Sequence, residues 1–331
     1  MLKIKDILII VIAVLLAGCS SDDIMTGGGL EASPISDEWD IKPGDPVAFT
    51  LLPSVKAQTR TIGPDTEFVG DYDDIENGYE LAIEMFGESS GSMGSAVYSV
   101  TDGALTPKTS GSQLYWPDNT QQYGFKATAG TTTLEADQSN ATNLRNQDRL
   151  EGYAFVPLKD GTTRQYTEDA LNYRTSKQWK ADNATFGKTG EDLKKIPLYL
   201  KHKRSKITII LKAGDGVESD DLAYATAATK IDATIYSYSG GETTAVKPCV
   251  GQTTISAETY TQYTAIVEPY DYTTETTLGD GGKIIAQITL KGSGSEPDKI
   301  FTYKPSNGTG TYSLTAGQHL TITITLTAPT P

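Results

Sequence analysis

Three groups of side chains in this chain have types and spacings suited to chemistry. Gly87-Glu88-Ser89-Ser90-Gly91 has the G-x-S-x-G spacing of a nucleophile elbow. That motif holds its serine on a sharp turn between a strand and a helix. A strand-like alternation precedes it here, but GSMGSAVYSV follows and reads as loop and strand, so a hairpin tip is expected. A catalytic triad would also need one of only two histidines, His202 and His319. Both lie in or beside alternating strand patterns, the setting of a packing or sheet-surface histidine. Acids cluster at Asp71, Asp73 and Asp74, and again at Asp215, Glu218, Asp220 and Asp221. Carboxylates in such numbers could hold calcium, yet neither cluster has the D-x-D-x-D-G spacing of a calcium loop, and solvated turn charge is expected. There is no Cys/His zinc spacing and no phosphate loop. These residues support neither an enzyme nor a cofactor or metal.

The remaining reactive group is a thiol. Lys3 and Lys5 precede an apolar run from Ile7 to Ala17, which stops at Gly18-Cys19 and is followed by serines and acids. The run is about eleven residues, whereas a helix that crosses a bilayer needs roughly twenty. A basic start with a short apolar core is the profile of an export signal. Leu16-Ala17-Gly18-Cys19 resembles the bacterial lipobox, in which the cysteine is lipidated and becomes the mature N-terminus. Asp22 and Asp23 resemble a surface-export tag. Residues 1–18 are therefore expected to be removed, leaving Cys19 anchored in outer-membrane lipid outside the cytoplasm.

Composition agrees with that compartment. The net charge is −14, and loss of residues 1–18, with Lys3, Lys5 and Asp6, would make it one unit more negative. Such a balance excludes nucleic acid as a partner and disfavours docking on anionic lipid. With Cys19 assigned to lipid, Cys249 is the one thiol left, so no intramolecular disulfide framework is expected and stability must come from core burial.

The elements that carry these groups read as strands. Residues 19–45 are rich in Gly, Ser, Pro and acids and make a tether. Beyond it, Leu81, Ile83 and Met85 alternate with Ala82, Glu84 and Phe86. Ile207, Ile209 and Leu211 alternate with Thr208 and Ile210, and Ile284, Ala286, Ile288 and Leu290 line one face of another strand. HLTITITLT puts Leu320, Ile322, Ile324 and Leu326 on one face and threonines on the other. Period two in Ile, Val, Thr and Tyr marks half-buried strands. The best helix candidate is TEDALNYRTSKQW, with Thr167 as its cap. The expectation is an all-β chain of two antiparallel sandwiches in tandem, 46–195 and 196–331, with little helix.

Several stretches together resemble the fimbrillin-like subunits of type V pili. VAFT (Val47 to Thr50) is similar to that family's first strand, with Thr59-Arg60 a short way after it. LYWPDNTQQYGFKA, LYLKHKRSKITIIL and YSLTAGQHLTITITL resemble later elements, the last being the final strand. DRLEGYA and FKATAG match only loosely. The resemblance implies two transthyretin-like sandwiches, export as a lipoprotein, and a cut by an arginine-specific protease after the first strand. It further implies that a neighbouring subunit's strand fills the groove so left, making other fimbrial subunits the partners. Arg60 is the basic residue best placed for the cut, Val47, Phe49 and Leu51 mark the strand exchanged, and Leu320, Ile322, Ile324 and Leu326 form the candidate donor. The alternative is a non-polymerising surface lipoprotein that grips glycan or a host ligand, with Tyr115, Trp116, Tyr123 and Tyr153 as stacking faces.

Overall fold

The computed structural model describes residues 40–52, 67–71, 75, 77–155, 169–272, 283–304 and 313–327. The first eight strands are β1 (Ala48–Leu51), β2 (Glu67–Asp71), β3 (Glu80–Gly87), β4 (Gly91–Thr101), β5 (Ala104–Pro107), β6 (Tyr123–Ala129), β7 (Leu150–Ala154) and β8 (Lys195–His202). All except β2 close into one barrel, in the order β1-β5-β4-β3-β6-β7-β8. The period-two sequences dictate its interior. In β3, Leu81, Ile83 and Met85 are buried while Glu80 and Ala82 are exposed, and Ile196, Leu198 and Leu200 of β8 point into the same core. Closure removes the free edges that an open sheet would present.

Ten further strands follow. They are β9 (Ser205–Ala213), β10 (Ile231–Ser239), β11 (Glu242–Val246), β12 (Cys249–Ile255), β13 (Glu258–Val267), β14 (Tyr270–Asp271), β15 (Ala286–Leu290), β16 (Lys299–Tyr303), β17 (Ser313–Leu314) and β18 (Gln318–Leu326). One sheet runs β11-β10-β15-β16 and a second runs β12-β13-β9-β18-β2, with β14 and β17 as a small extra pair. Ile207, Ile209 and Leu211 of β9 and Leu320, Ile322 and Leu326 of β18 share a second core with Ile231 and Ile235 of β10 and Ile288 of β15. This is a sandwich of two sheets sharing a buried core.

The chain is mostly β, as expected, but β1 and β3 to β8 form a closed barrel where a sandwich was expected, and other details differ as well. Pairing is not antiparallel throughout. β1 runs parallel to β8, and β18 runs parallel to β9. Parallel neighbours need long crossovers, and alternation within a strand says nothing about the direction of its neighbour. The alternating run that resumes at residue 195 is two strands, not one. β8 completes the barrel, Lys203 and Arg204 turn the chain, and the second core begins with Ile207. β2, from the N-terminal part, pairs with β18 in the second sheet. Finally, the helix is displaced. It spans Ser176–Thr185 (α2), capped by Thr175, whose hydroxyl accepts from the Gln178 N–H while the Gln178 side chain accepts from the Thr175 N–H. That reciprocal capping box fixes the start. Upstream, Arg174 exchanges backbone hydrogen bonds with Tyr123, and the Asn172 amide donates to the Ala154 carbonyl, which holds 172–174 out of a helix. The other two helices among the described residues are α1 (Ala141–Gln147) and α3 (Tyr224–Lys230).

Candidate functional site

The leading strand is the stave that completes the barrel. Val47 and Phe49 are buried, Ala48 is exposed, and Leu51 is half-buried against the same core, which is the alternation expected of the first strand. On one side β1 pairs in parallel with β8 from Ala48↔Lys195 to Leu51↔Leu198, and the Leu52 N–H donates to the Leu198 carbonyl at 2.9 Å. On the other side its contact with β5 is a single register pair, Thr50↔Ala104. The approach to the strand is tied instead to residues 114–116. The Val47 N–H donates to the Leu114 carbonyl at 2.8 Å and the Gly44 N–H to the Trp116 carbonyl at 2.8 Å. The Trp116 N–H returns a bond to the Asp45 carbonyl at 3.0 Å.

Phe49 sits at the middle of this site. Its ring meets Tyr98 edge-on at 5.2 Å and Phe125 edge-on at 5.3 Å, and Phe125 in turn meets Trp116 at 5.7 Å. Tyr98 is held in place because its hydroxyl accepts from the Leu114 N–H at 3.0 Å, and burial pushes its pKa up. Edge-to-face pairs of this kind add about 0.5–1.5 kcal/mol each beyond the area they bury.

The candidate donor residues lie elsewhere. β18 is an interior strand, paired with β9 over Gln318's neighbours His319 to Leu326 and with β2 from Gln318 to Ile322. Leu320, Ile322 and Leu326 are fully buried in the second core, and Ile324 is half-buried against it. The structure thus brings Val47, Phe49 and Leu51 together in one core and places the β18 residues in the other. Cys19 and Arg60 lie outside the described residues, as do the export signal and nearly all of the tether.

The other reactive groups have structural surroundings. Gly87–Gly91 is the turn of the β3–β4 hairpin, with β4 and no helix after it, so Ser89 has no elbow geometry. His202 is buried and its Nδ1 lies 2.8 Å from the Asp148 carboxylate, which also accepts from the Tyr79 hydroxyl. His319 bonds through Nε2 to the Thr208 hydroxyl at 2.8 Å; desolvation, then the Lys206 ammonium, push its pKa down to about 3. It lines a cleft of about 390 Å³ on the outer face of the second sheet, with Thr208, Gln262 and Leu144. Cys249 is half-buried beside that cleft, and burial raises its pKa. Among the described residues no three acids, histidines or cysteines gather to hold a metal ion. Asp73 and Asp74 lie outside them, and Asp221 pairs with Lys230 at 3.3 Å. Of the aromatic residues expected to offer stacking faces, Trp116 and Tyr123 are buried, whereas Tyr115 is exposed and Tyr153 half-buried.

Sequence reasoning missed the junction between the two cores. Arg204, 1% exposed, donates to the Gln147 carbonyl at 2.7 Å and the Thr132 carbonyl at 3.0 Å, and pairs with Glu268 at 2.7 Å. Gln138 donates to the Ile266 carbonyl and accepts from the Ile266 N–H. No spacing announces such residues, because their partners are backbone groups far away in the chain.

The fimbrillin-like family matches residues 71–331, most of the chain. This chain belongs to the fimbrillin-like family. Solved structures similar to it include a proposed cell adhesion protein of Bacteroides fragilis, 15% identical, covering 88% of this chain and 93% of that one at a TM-score of 0.42. The tip fimbrial protein Mfa3 of Porphyromonas gingivalis is 10% identical over 81% of this chain and 97% of its own, at a TM-score of 0.37. A fimbrilin of the same organism is 10% identical over 86% and 98%, at 0.33. No curated protein sequence matches the chain.

Proposed function

We propose that this fimbrillin-like chain is a structural or adhesive subunit of a cell-surface fimbria, exported as a lipoprotein on Cys19 and joined to its neighbours by strand replacement at β1. The observation that carries this reading is the position of β1. It is the most N-terminal strand described, yet it supplies the last stave of a barrel whose other six strands lie beyond Arg60. A cut after Arg60 would release Ile41, Val47, Phe49 and Leu51 from the core and open a groove bounded by β8, β5 and residues 114–116. An extended segment from another subunit would pair there by main-chain hydrogen bonds while alternate side chains enter the pockets. The two cores are read as the family's two transthyretin-like domains, with the barrel as the accepting one.

The second reading, a non-polymerising glycan-binding lipoprotein, loses two of its four stacking residues to burial, Trp116 and Tyr123. Incubating the purified full chain with an arginine-specific protease separates the two. Strand replacement predicts a single early cut after Arg60, followed by formation of oligomers. Rapid cuts elsewhere with Arg60 intact would reject it.

A further inference from the structure

The groove that β1 fills is not a generic apolar slot. Its central position is an aromatic cage in which the Phe49 ring is met edge-on by Tyr98 and Phe125, backed by Trp116. The cage is rigid. Tyr98 is fixed by the Leu114 N–H, a bond that does not involve β1 or the residues leading into it. Trp116 also meets Tyr123 edge-on, and the indole N–H of Trp179 on α2 donates to the Tyr123 carbonyl. A cage braced in this way collapses poorly around a smaller group.

The chain's own best alternating strand does not fit it. β18 presents Leu320, Ile322, Ile324 and Leu326, all branched aliphatics, and three of these are fully buried in the second core. Withdrawing β18 would also break its pairing with both β9 and β2. Resting on the strand-replacement reading above, we infer that the partner of this groove is a strand of another protein carrying an aromatic residue at the Phe49 position, with aliphatic residues two places to either side, and running parallel to β8. The direction follows from β1 itself, whose four-residue pairing with β8 is parallel. This subunit therefore accepts a strand of different composition from β18, and a second copy of this chain donating β18 is disfavoured.

The size of the preference follows from the carbons involved. An aliphatic residue in place of phenylalanine buries three fewer side-chain carbons, each worth roughly fourfold in affinity, and forfeits both edge contacts. Partial relaxation of the cage reduces this, which leaves a preference of at least about tenfold.

The test uses the full chain carrying Phe49→Ala, cut after Arg60 with the arginine-specific protease so that its weakened β1 can leave the groove, and fluorescent peptides read by anisotropy. The peptides are residues 46–52 (PVAFTLL), the same peptide with Phe49→Ile, and residues 318–326 (QHLTITITL). The native peptide is expected to bind at least about tenfold more tightly than the other two. Binding of all three within about twofold, or tightest binding by the β18 peptide, would overturn the aromatic preference while leaving strand replacement standing. Binding by none would overturn both. Circular dichroism checks that the variant is folded, and Phe49→Leu serves as host if it is not.

Discussion

Replacing Phe49 by alanine tests whether β1 is an integral stave or a loosely laid cover. The ring is 4% exposed, so nearly all of its surface is removed from water. A phenylalanine side chain carries about 150–250 Å², and at roughly 25 cal/mol per Å² its burial contributes about 4–6 kcal/mol. Alanine retains part of that, and the residual cavity adds a cost, so the loss falls in the range of about 3–5 kcal/mol seen for buried aromatic truncations. Domains have only about 5–15 kcal/mol in total. The neighbouring position supplies the control, because Ala48 is exposed and Ala48→Ser should stay within about 0.5 kcal/mol. Urea titrations followed by tryptophan fluorescence are well suited, since Trp116 lies in the same aromatic chain as Phe49. A lower midpoint with an unchanged slope is expected for Phe49→Ala. A loss below about 1 kcal/mol would refute the reasoning, since it would mean that the barrel core is complete without this strand.

Other consequences follow from groups away from β1. Arg204→Ala leaves the Gln147 and Thr132 carbonyls and the Glu268 carboxylate without their shared guanidinium. It should cost about 3–5 kcal/mol and separate the unfolding of the two cores into distinguishable transitions in calorimetry. Gly152 lies so close to β8 that a Cβ would run into the Tyr199 carbonyl oxygen and the Leu200 Cα. Gly152→Ala should therefore destabilise by more than about 2 kcal/mol, measured by thermal melting, although no unusual φ is involved. His319 has its folded pKa pushed below the ordinary histidine value, down to about 3. The unfolded chain then binds the extra proton first as pH falls through the window between the ordinary value and about 3. This histidine's share of stability is thus present at neutral pH and lost on acidification. Urea midpoints at pH 7 and pH 4 should differ less in His319→Gln than in the unaltered protein.

Much of this architecture is legible in the sequence because burial of one sheet face imposes period two. Leu81, Ile83 and Met85, or Leu320 and Ile322, announce both the strand and its inward face. Val47 and Phe49 are legible for the same reason. What the sequence hides is everything set by the partner and not by the strand. Alternation is identical for parallel and antiparallel neighbours, so the β1–β8 and β9–β18 directions could not be read from it. The run from Lys195 to Ala213 looks continuous, because both faces of β9 are covered and Thr208 and Ile210 are as buried as their neighbours. Thr175 caps the helix with Gln178 three residues later, a pattern present in the letters but weaker to the eye than a run of acids, whereas Thr167 lies outside the described residues. Trp116 and Tyr123 look like binding aromatics by type, and only the packing shows that they brace Phe49's cage from within.

Exchange of β1 for another protein's strand after a cut at Arg60 is tested most directly by the N-terminal residue of the protein recovered from assembled cell-surface fibres. Sequencing that begins at Thr61, in fibres that carry this chain, is the predicted result. Fibres whose copies all still begin at lipid-bearing Cys19 would contradict it.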